Sequence, residues 1–222
     1  GYNVFKSHYL AINSPKVSSF DYPLYQLASH KQKIIHNIQE NGALIAMAHP
    51  KFAGGRSFSD MEQLVGYNFT EVLNHYRISD VYWDKALSAG RLTWVMGNDD
   101  THDLVKEATF RIWNIIHSSK RNSDSIMQSM SEGKSYAIWS INQDCDNLLS
   151  ECSLNEQTLH IKLDNQADSI LIIGQGGKVL QTSFNTDNVS YLIKKEDPYV
   201  RTVAYNTNSH IYLNPIVRYD GK

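Results

Sequence analysis

Apolar residues in the first two thirds of the chain alternate between short continuous runs and helical spacing. The run ALIAMA at 43–48 has the length of a strand and predicts a buried one. In full, the pattern predicts strands at 8–13, 43–48, 69–74, 93–97, 109–116 and 135–140, and helices at 22–42, 60–66, 79–90 and 123–133. Strands that alternate with helices favour a parallel α/β arrangement.

The pattern changes near residue 142, where helical spacing gives way to short β-type runs. These runs lie at 158–163, 169–174, 178–184, 189–194, 199–206 and 211–218. Turn residues such as Gly176 and Gly177 separate them, which indicates a small antiparallel β-sandwich. We therefore expect two domains, an α/β domain at 1–142 and a β-sandwich at 143–222.

The composition is typical of a folded globular protein and restricts the class of partner. The 222 residues are 41% hydrophobic and 20% charged, with a formal net charge of −2. Lysines and arginines cluster only in short pairs, so no nucleic-acid-binding patch is evident. No apolar run approaches the roughly 20 residues of a membrane-spanning helix. The compartment stays open, although the Asn-, Ser- and Tyr-rich composition leans faintly towards a periplasmic or secreted protein.

Two cysteines, Cys145 and Cys152, lie seven positions apart in a polar stretch. Their spacing does not match a zinc motif such as C-x-x-C. They are either a disulfide pair or two unpaired thiols, and the sequence leaves both readings open.

Metal-capable side chains stand next to several predicted strands. His8 begins the first strand, His49 follows the ALIAMA strand, and Asp100 and His102 follow the strand at 93–97. Sites in parallel α/β folds form at the carboxyl ends of strands, so we expect these side chains to meet. Imidazole and carboxylate groups suit zinc, iron or manganese.

Glu71, Asn74 and His75 lie within or just after the strand at 69–74 and add further metal-capable groups. Each candidate also has a plainer interpretation. A histidine followed by proline is often part of a turn, an acidic loop often caps a helix, and a lone histidine often bonds a backbone carbonyl.

Five stretches together resemble the later motifs of the polymerase and histidinol phosphatase (PHP) family. They are HYLAIN, GALIAMAHP, TEVLNHY, WDKALSAGRLTWVMGNDDTH and SEGKSYA, in family order over roughly residues 5–140. The resemblance implies a distorted (β/α)₇-type PHP barrel, present here as its C-terminal portion. It also implies up to three divalent metal ions, Zn, Fe or Mn. By motif, His8 and His49 ligate one metal, Asp100 a second and His102 a third. Family members are mostly phosphoesterases, so a small phosphorylated substrate is implied.

The family's opening motifs, a His-x-His, an Asp-His pair and a bridging carboxylate, do not occur at the matching place in these 222 residues. We therefore expect a missing N-terminal segment or a partner chain to complete the barrel and its site. For substrate contact the sequence offers Lys51, Arg56 and His75, since a cation there can hold a phosphate. The alternative is a non-catalytic carbohydrate- or protein-binding module with a degenerate metal site.

Overall fold

The computed structural model describes residues 7–22, 26–52, 55–104, 109–145 and 147–218. Strands hold 42% of these residues and helices 20%. Within these ranges, no helix combines the length and the apolar character needed to cross a membrane.

The described residues form four α-helices and thirteen strands, together with a 3₁₀ turn at Gln175–Gly177. The helices are α1 (Ala28–Glu40), α2 (Phe58–Gln63), α3 (Asp80–Ser88) and α4 (Ser123–Ser131). The strands are β1 (Tyr9–Ile12), β2 (Leu44–Met47), β3 (Phe69–Asn74), β4 (Arg77–Ile78), β5 (Trp94–Asn98), β6 (Ile112–Ile116), β7 (Ser135–Ser140), β8 (Leu149–Asn155), β9 (Thr158–Gly174), β10 (Lys178–Leu192), β11 (Tyr199–Tyr205), β12 (Ser209–Leu213) and β13 (Ile216–Val217).

Local sequence explains where the helices lie. Helix α1 buries Ile34, Ile35 and Ile38 on one face, as the helical spacing of these residues predicts. Helix α2 begins with a capping box, in which Ser57 Oγ accepts the Asp60 N–H and the Asp60 carboxylate accepts the Ser57 N–H. Each predicted helix overlaps an observed one, although α1 begins at Ala28 rather than at residue 22, and residues 23–25 of that prediction lie outside the described residues.

The first sheet has five strands in the order β1-β2-β3-β4, with β5 also paired to β3. The pairs β2–β3 and β3–β5 are parallel, whereas β1 and β4 are antiparallel to their neighbours. The carboxyl ends of three parallel strands therefore meet at one edge of this sheet. We call this edge, where His49, Asn74 and Asp100 lie, the site edge.

The second sheet has eight strands, of which six follow the order β10-β9-β11-β12-β7-β6. Strand β8 pairs with β9 and β13 pairs with β11. Every pairing in this sheet is antiparallel, and the sheet curls into a half-barrel.

The prediction of a (β/α)₇-type barrel followed by a β-sandwich is wrong. The chain is mostly β, and the curled antiparallel sheet contains β6 and β7, the last two strands predicted for the barrel, together with the strands predicted for the sandwich. Strands β6 and β7 were expected to continue the parallel series, but they pair antiparallel with each other and join the second sheet through β12. The physical reason is that hydrophobic period identifies a strand but not its neighbour, because strand pairing is a long-range property.

The two sheets share a core. Val72 of β3, Trp83 of α3 and Val95 of β5 pack in one buried cluster with two residues of the second sheet, Val203 and Tyr212. The second sheet also draws strands from both sides of residue 142, the boundary predicted between the domains. That boundary stays a prediction, and packing joins the residues on its two sides.

Candidate functional site

Two of the predicted ligands stand just beyond parallel strands, in unusual backbone conformations. His49 follows β2 with φ of +26°, and Asp100 follows β5 with φ of +54°. Non-glycine residues seldom adopt positive φ, and such strain collects at functional sites. At the site edge, the surrounding structure therefore stabilises a backbone conformation that His49 and Asp100 would not otherwise prefer.

His8 and His49 meet although 41 positions separate them. His8 Nδ1 lies 3.1 Å from His49 Nε2, and their ring centroids are 5.0 Å apart. Two nitrogens that bind one zinc ion at about 2.0–2.1 Å lie about 3 Å apart, so the separation suits a shared metal. It equally suits a direct hydrogen bond between two neutral imidazoles.

The electrostatic surroundings favour neutral imidazoles. Burial lowers the pKa of His8, and the neighbouring His49 lowers it further. Burial also lowers the pKa of His49, while the Asp100 carboxylate opposes the shift in both residues. Only a neutral imidazole has a lone pair for a metal, so these shifts suit ligation. His49 Nδ1 is buried and has no hydrogen-bond partner among the described residues.

Glu71 and Asn74 connect His49 to Asp100. The Glu71 carboxylate accepts the His49 N–H at 2.9 Å and the Asn74 amide N–H at 2.6 Å. The same amide nitrogen lies 3.2 Å from Asp100 Oδ2. Burial raises the pKa of Glu71 to about 7. The sequence names Glu71 and Asn74 as metal-capable, but it does not show that they link two predicted ligands.

An irregularity in strand β3 explains why the sequence does not reveal that Glu71 and Asn74 meet. Glu71 and Asn74 are three positions apart, and in a regular strand such residues point to opposite faces. The register between β3 and β5 shifts between Glu71 and Leu73, which marks an irregularity there. A shift of this kind re-aims side chains and brings the two polar groups together.

Asp100 and His102 form the outer part of the site. Their closest oxygen–nitrogen distance is 4.0 Å, and the His102 side chain is 76% exposed against 26% for Asp100. Within the described ranges, no three His, Cys, Asp or Glu side chains are grouped so as to hold a metal ion. The site edge thus contains two pairs, His8 with His49 and Asp100 with His102, linked through Glu71 and Asn74.

Asp99, the acid next to Asp100, has a structural role. Its carboxylate accepts the backbone N–H groups of Phe110, Arg111 and Ile112 at 2.6, 3.1 and 2.9 Å. These bonds tie the start of β6 to the end of β5. Asp99 therefore has a structural role that is neither metal binding nor the helix cap that an acidic loop often provides.

Three cations were expected to contact substrate, and their surroundings differ. Arg56 is only 6% exposed, and its guanidinium donates to Tyr9 Oη at 2.9 Å and to the His8 carbonyl at 3.2 Å. These contacts favour a role in holding β1 and His8 in place. Lys51 is exposed at the site edge, and His75 is half-buried in the turn after β3.

The resemblance to the PHP family rests on the sequence motifs alone. Compared with family models, with curated proteins and with solved structures, the chain gives no match.

Proposed function

We propose that the chain carries part of the active site of a metal-dependent hydrolase of phosphate esters, of the PHP type. The observation that carries the proposal is the meeting of His8 and His49, with Asp100 close enough to act on the pKa of both. The antiparallel pairing of β1 with β2 brings His8 and His49 to the same end of the sheet, and their ring nitrogens lie 3.1 Å apart there.

The donor chemistry fits zinc, iron or manganese. In the proposal, His8 and His49 ligate one ion, Asp100 a second and His102 a third. A divalent ion held there supplies Lewis-acid activation of the phosphate ester and of water. The Glu71 carboxylate accepts the His49 backbone N–H, and Arg56 donates to the His8 carbonyl, so the backbone that carries each imidazole is held in place.

In the proposal, two of the three predicted substrate-binding residues, Lys51 and His75, bind and orient substrate. Lys51 and His75 flank the site edge, and a lysine there attracts a phosphate through its charge. Arg56, with its donors turned to Tyr9 and His8, acts through His8.

The proposal includes a further protein segment, from this chain or from a partner, that supplies the remaining ligands. Two observations support it. The described donors occur in pairs, and metal affinity needs more ligands than a pair. Strand β1 pairs only with β2 among the described strands, and its residues Leu10 and Ala11 are exposed. An open edge of this kind is a natural place for another strand.

Metal content and phosphatase activity test the proposal together. Protein purified without chelator is analysed for Zn, Fe and Mn, and p-nitrophenyl phosphate hydrolysis is followed with each metal added. We expect bound metal and turnover in the complete protein, with both reduced in His49→Ala and Asp100→Asn. The matched control is His117→Ala, an exposed histidine outside the site edge. Absence of metal and turnover in the complete protein would remove the proposal.

One observation favours the alternative, a non-catalytic carbohydrate-binding module. A depression of about 320 Å³ in the second sheet region is lined by polar residues, including Asn142, Asp144, Asn165 and Asp168. Amide and carboxylate side chains match the hydroxyls of a neutral sugar. A glycan array with the whole chain tests this alternative, and we expect Asp168→Ala to abolish any signal that arises from this depression.

A further inference from the structure

Arg77 lies on the same face of the β3–β4 hairpin as the candidate site. Strands β3 and β4 are antiparallel, and Arg77 is the direct cross-strand partner of Asn74. Directly paired residues in an antiparallel ladder point to the same side of the sheet. The Asn74 side chain reaches Glu71 and Asp100, so the exposed side chain of Arg77 projects beside the site.

The Arg77 guanidinium is held in position. Its carbon lies 4.8 Å from the centre of the Phe52 ring, and Nη1 lies 3.4 Å from the Lys51 carbonyl oxygen. The Phe52 ring in turn lies 5.4 Å from the His49 ring. The Phe52 ring therefore neighbours both the Arg77 guanidinium and the His49 ring. Stacking on that ring reduces the freedom of the arginine before any ligand binds.

The charges of Arg77 and its neighbour Lys51 are not compensated by any carboxylate that the structure describes. No carboxylate in the described ranges lies within ion-pair distance of Arg77 or of the Lys51 ammonium group. The exposed guanidinium lies over the Phe52 ring, and its donors other than Nη1, which bonds the Lys51 carbonyl, present the planar fork that carboxylate and phosphate groups bind. The two positive charges of Arg77 and Lys51, both beside the site edge, also attract anions over several ångströms.

We infer that Arg77, with Lys51, binds a second anionic group of the substrate. The inference rests on the proposed function and narrows its substrate class. The substrate is a phosphate ester whose skeleton also carries a carboxylate or another phosphate, placed beyond Phe52 as seen from His49. Sequence alone did not indicate Arg77, because its position depends on the β3–β4 hairpin and on the packing of Phe52.

Three rigid aryl phosphates test the inference in the complete metal-loaded protein. Phenyl phosphate is neutral at the para position, 4-carboxyphenyl phosphate is negative there, and 4-(trimethylammonio)phenyl phosphate is positive. We expect Arg77→Ala to lower kcat/KM for the carboxylate relative to phenyl phosphate by about tenfold, mainly through KM. For the positively charged probe, the kcat/KM of Arg77→Ala relative to phenyl phosphate should be higher than that of wild type. Comparing ratios between proteins cancels the intrinsic reactivity of the three leaving groups.

Two further variants sharpen the result. Arg77→Lys keeps the charge and loses the planar fork, so part of the selectivity should remain. Arg218→Ala removes an exposed arginine whose Nη2 donates to the Lys194 carbonyl in the second sheet, and it should keep the wild-type ratio. The inference is overturned if the ratio of kcat/KM for 4-carboxyphenyl phosphate to that for phenyl phosphate is equal in wild type and Arg77→Ala.

Failure of the proposed function is distinguishable from failure of the inference. If the complete protein neither binds metal nor hydrolyses any probe, the proposed function is lost. Benzoate is then titrated into the protein while the side-chain Nε–H signal of Arg77 is followed by NMR, with benzyl alcohol as the neutral control. A saturable shift with benzoate alone supports the anion subsite, and no shift overturns it.

Discussion

Backbone strain at the site edge falls on two residues, His49 and Asp100. Each adopts positive φ, a conformation that costs about 1–3 kcal/mol in a non-glycine residue and persists only where its surroundings enforce it. The enforcing group at His49 is the Glu71 carboxylate, which accepts the His49 N–H. Asn74 connects that carboxylate to Asp100. One amide therefore couples the orientations of two candidate ligands.

Loss of the Asn74 amide should weaken metal binding. In Asn74→Ala, Glu71 loses its shortest hydrogen bond and Asp100 loses the donor that fixes its Oδ2. Groups that orient metal ligands typically change affinity by about 10–100-fold, and we expect a loss of that size. Competition against a chelating dye measures it, with Asn188→Ala on the exposed edge strand β10 as the control. Equal affinity in Asn74→Ala and wild type would show that the amide does not position Asp100.

His210 should make the protein less stable in acid. It is half-buried between the rings of Trp139 and Tyr205, and burial lowers its pKa from 6.5. As pH falls, the unfolded chain takes up this proton first. The stability that the neutral folded form contributes is therefore present above pH 6.5 and is lost between 6.5 and the lower folded pKa.

The test compares urea unfolding of wild type and His210→Phe from about pH 8 to about pH 5. We expect the unfolding free energy of wild type to fall more steeply with acid than that of the variant. His8 and His49 titrate in both proteins, so the difference between the two curves isolates residue 210. Parallel curves would mean that His210 does not resist protonation.

At the scale of elements, strand positions follow from sequence far better than strand partners. The predicted strands at 69–74 and 135–140 coincide with β3 and β7. Strand β9 was predicted as two strands, at 158–163 and 169–174, because residues 164–166 between them are polar, and the structure shows these residues exposed. The structure carries one strand through this stretch and interrupts the ladder instead. A polar insert does not distinguish a turn from an exposed irregularity in a long hairpin.

The candidate site, too, could be predicted from the sequence only in part. His8, His49, Asp100 and His102 could be selected because each stands next to a predicted strand, and strand ends are visible in the sequence. The linking role of Glu71 could not be predicted, because it depends on a register shift inside β3.

Asn114 joins the two sheets where strand pairing stops. Its side-chain oxygen accepts the Gly97 N–H at 2.9 Å, and its amide N–H donates to the Gly97 carbonyl at 2.8 Å. The side chain thus bonds Gly97 of β5 as a neighbouring strand would. In Asn114→Ala both backbone groups of Gly97 lose their partner, at about 1–3 kcal/mol for each one left buried.

Chemical unfolding of Asn114→Ala measures this loss, and we expect a destabilisation well above that of Asn188→Ala at an exposed position of β10. The two variants remove the same side chain in different surroundings. Similar losses in both would indicate that water reaches Gly97 and replaces the amide.

At the scale of the whole molecule, helix α3 holds the two sheets together. Asp84 of α3 accepts two hydrogen bonds from Arg201 of β11, at 2.7 and 2.6 Å, and one from the Tyr199 hydroxyl at 3.0 Å. The tight turn between β9 and β10 rests on the same helix. A Cβ at Gly177, where φ is +78°, would lie 2.7 Å from Asp84 Oδ2.

Breaking the Asp84–Arg201 pair should destabilise both sheets at once. The two side chains are 7% and 2% exposed, so Asp84→Ala leaves a buried guanidinium without its counter-charge. Removing one partner of a buried pair typically costs about 3–5 kcal/mol. We expect that loss in a single cooperative transition, because the shared core does not allow one sheet to unfold alone. Circular dichroism and tryptophan fluorescence should therefore report the same midpoint.

Two further variants separate charge from packing at this junction. Lys85→Ala breaks the exposed Lys85–Glu62 pair one residue along α3, and it should change stability far less. The double variant Asp84→Leu with Arg201→Met removes both charges and keeps similar volume, so it should recover most of the loss. If Asp84→Ala unfolds in two separate steps, each sheet is stable without the other and α3 acts only as a tether. If the double variant is no better than Asp84→Ala, the contribution of Asp84 lies in its hydrogen bond from Tyr199 and its packing against Gly177 rather than in the buried charge pair.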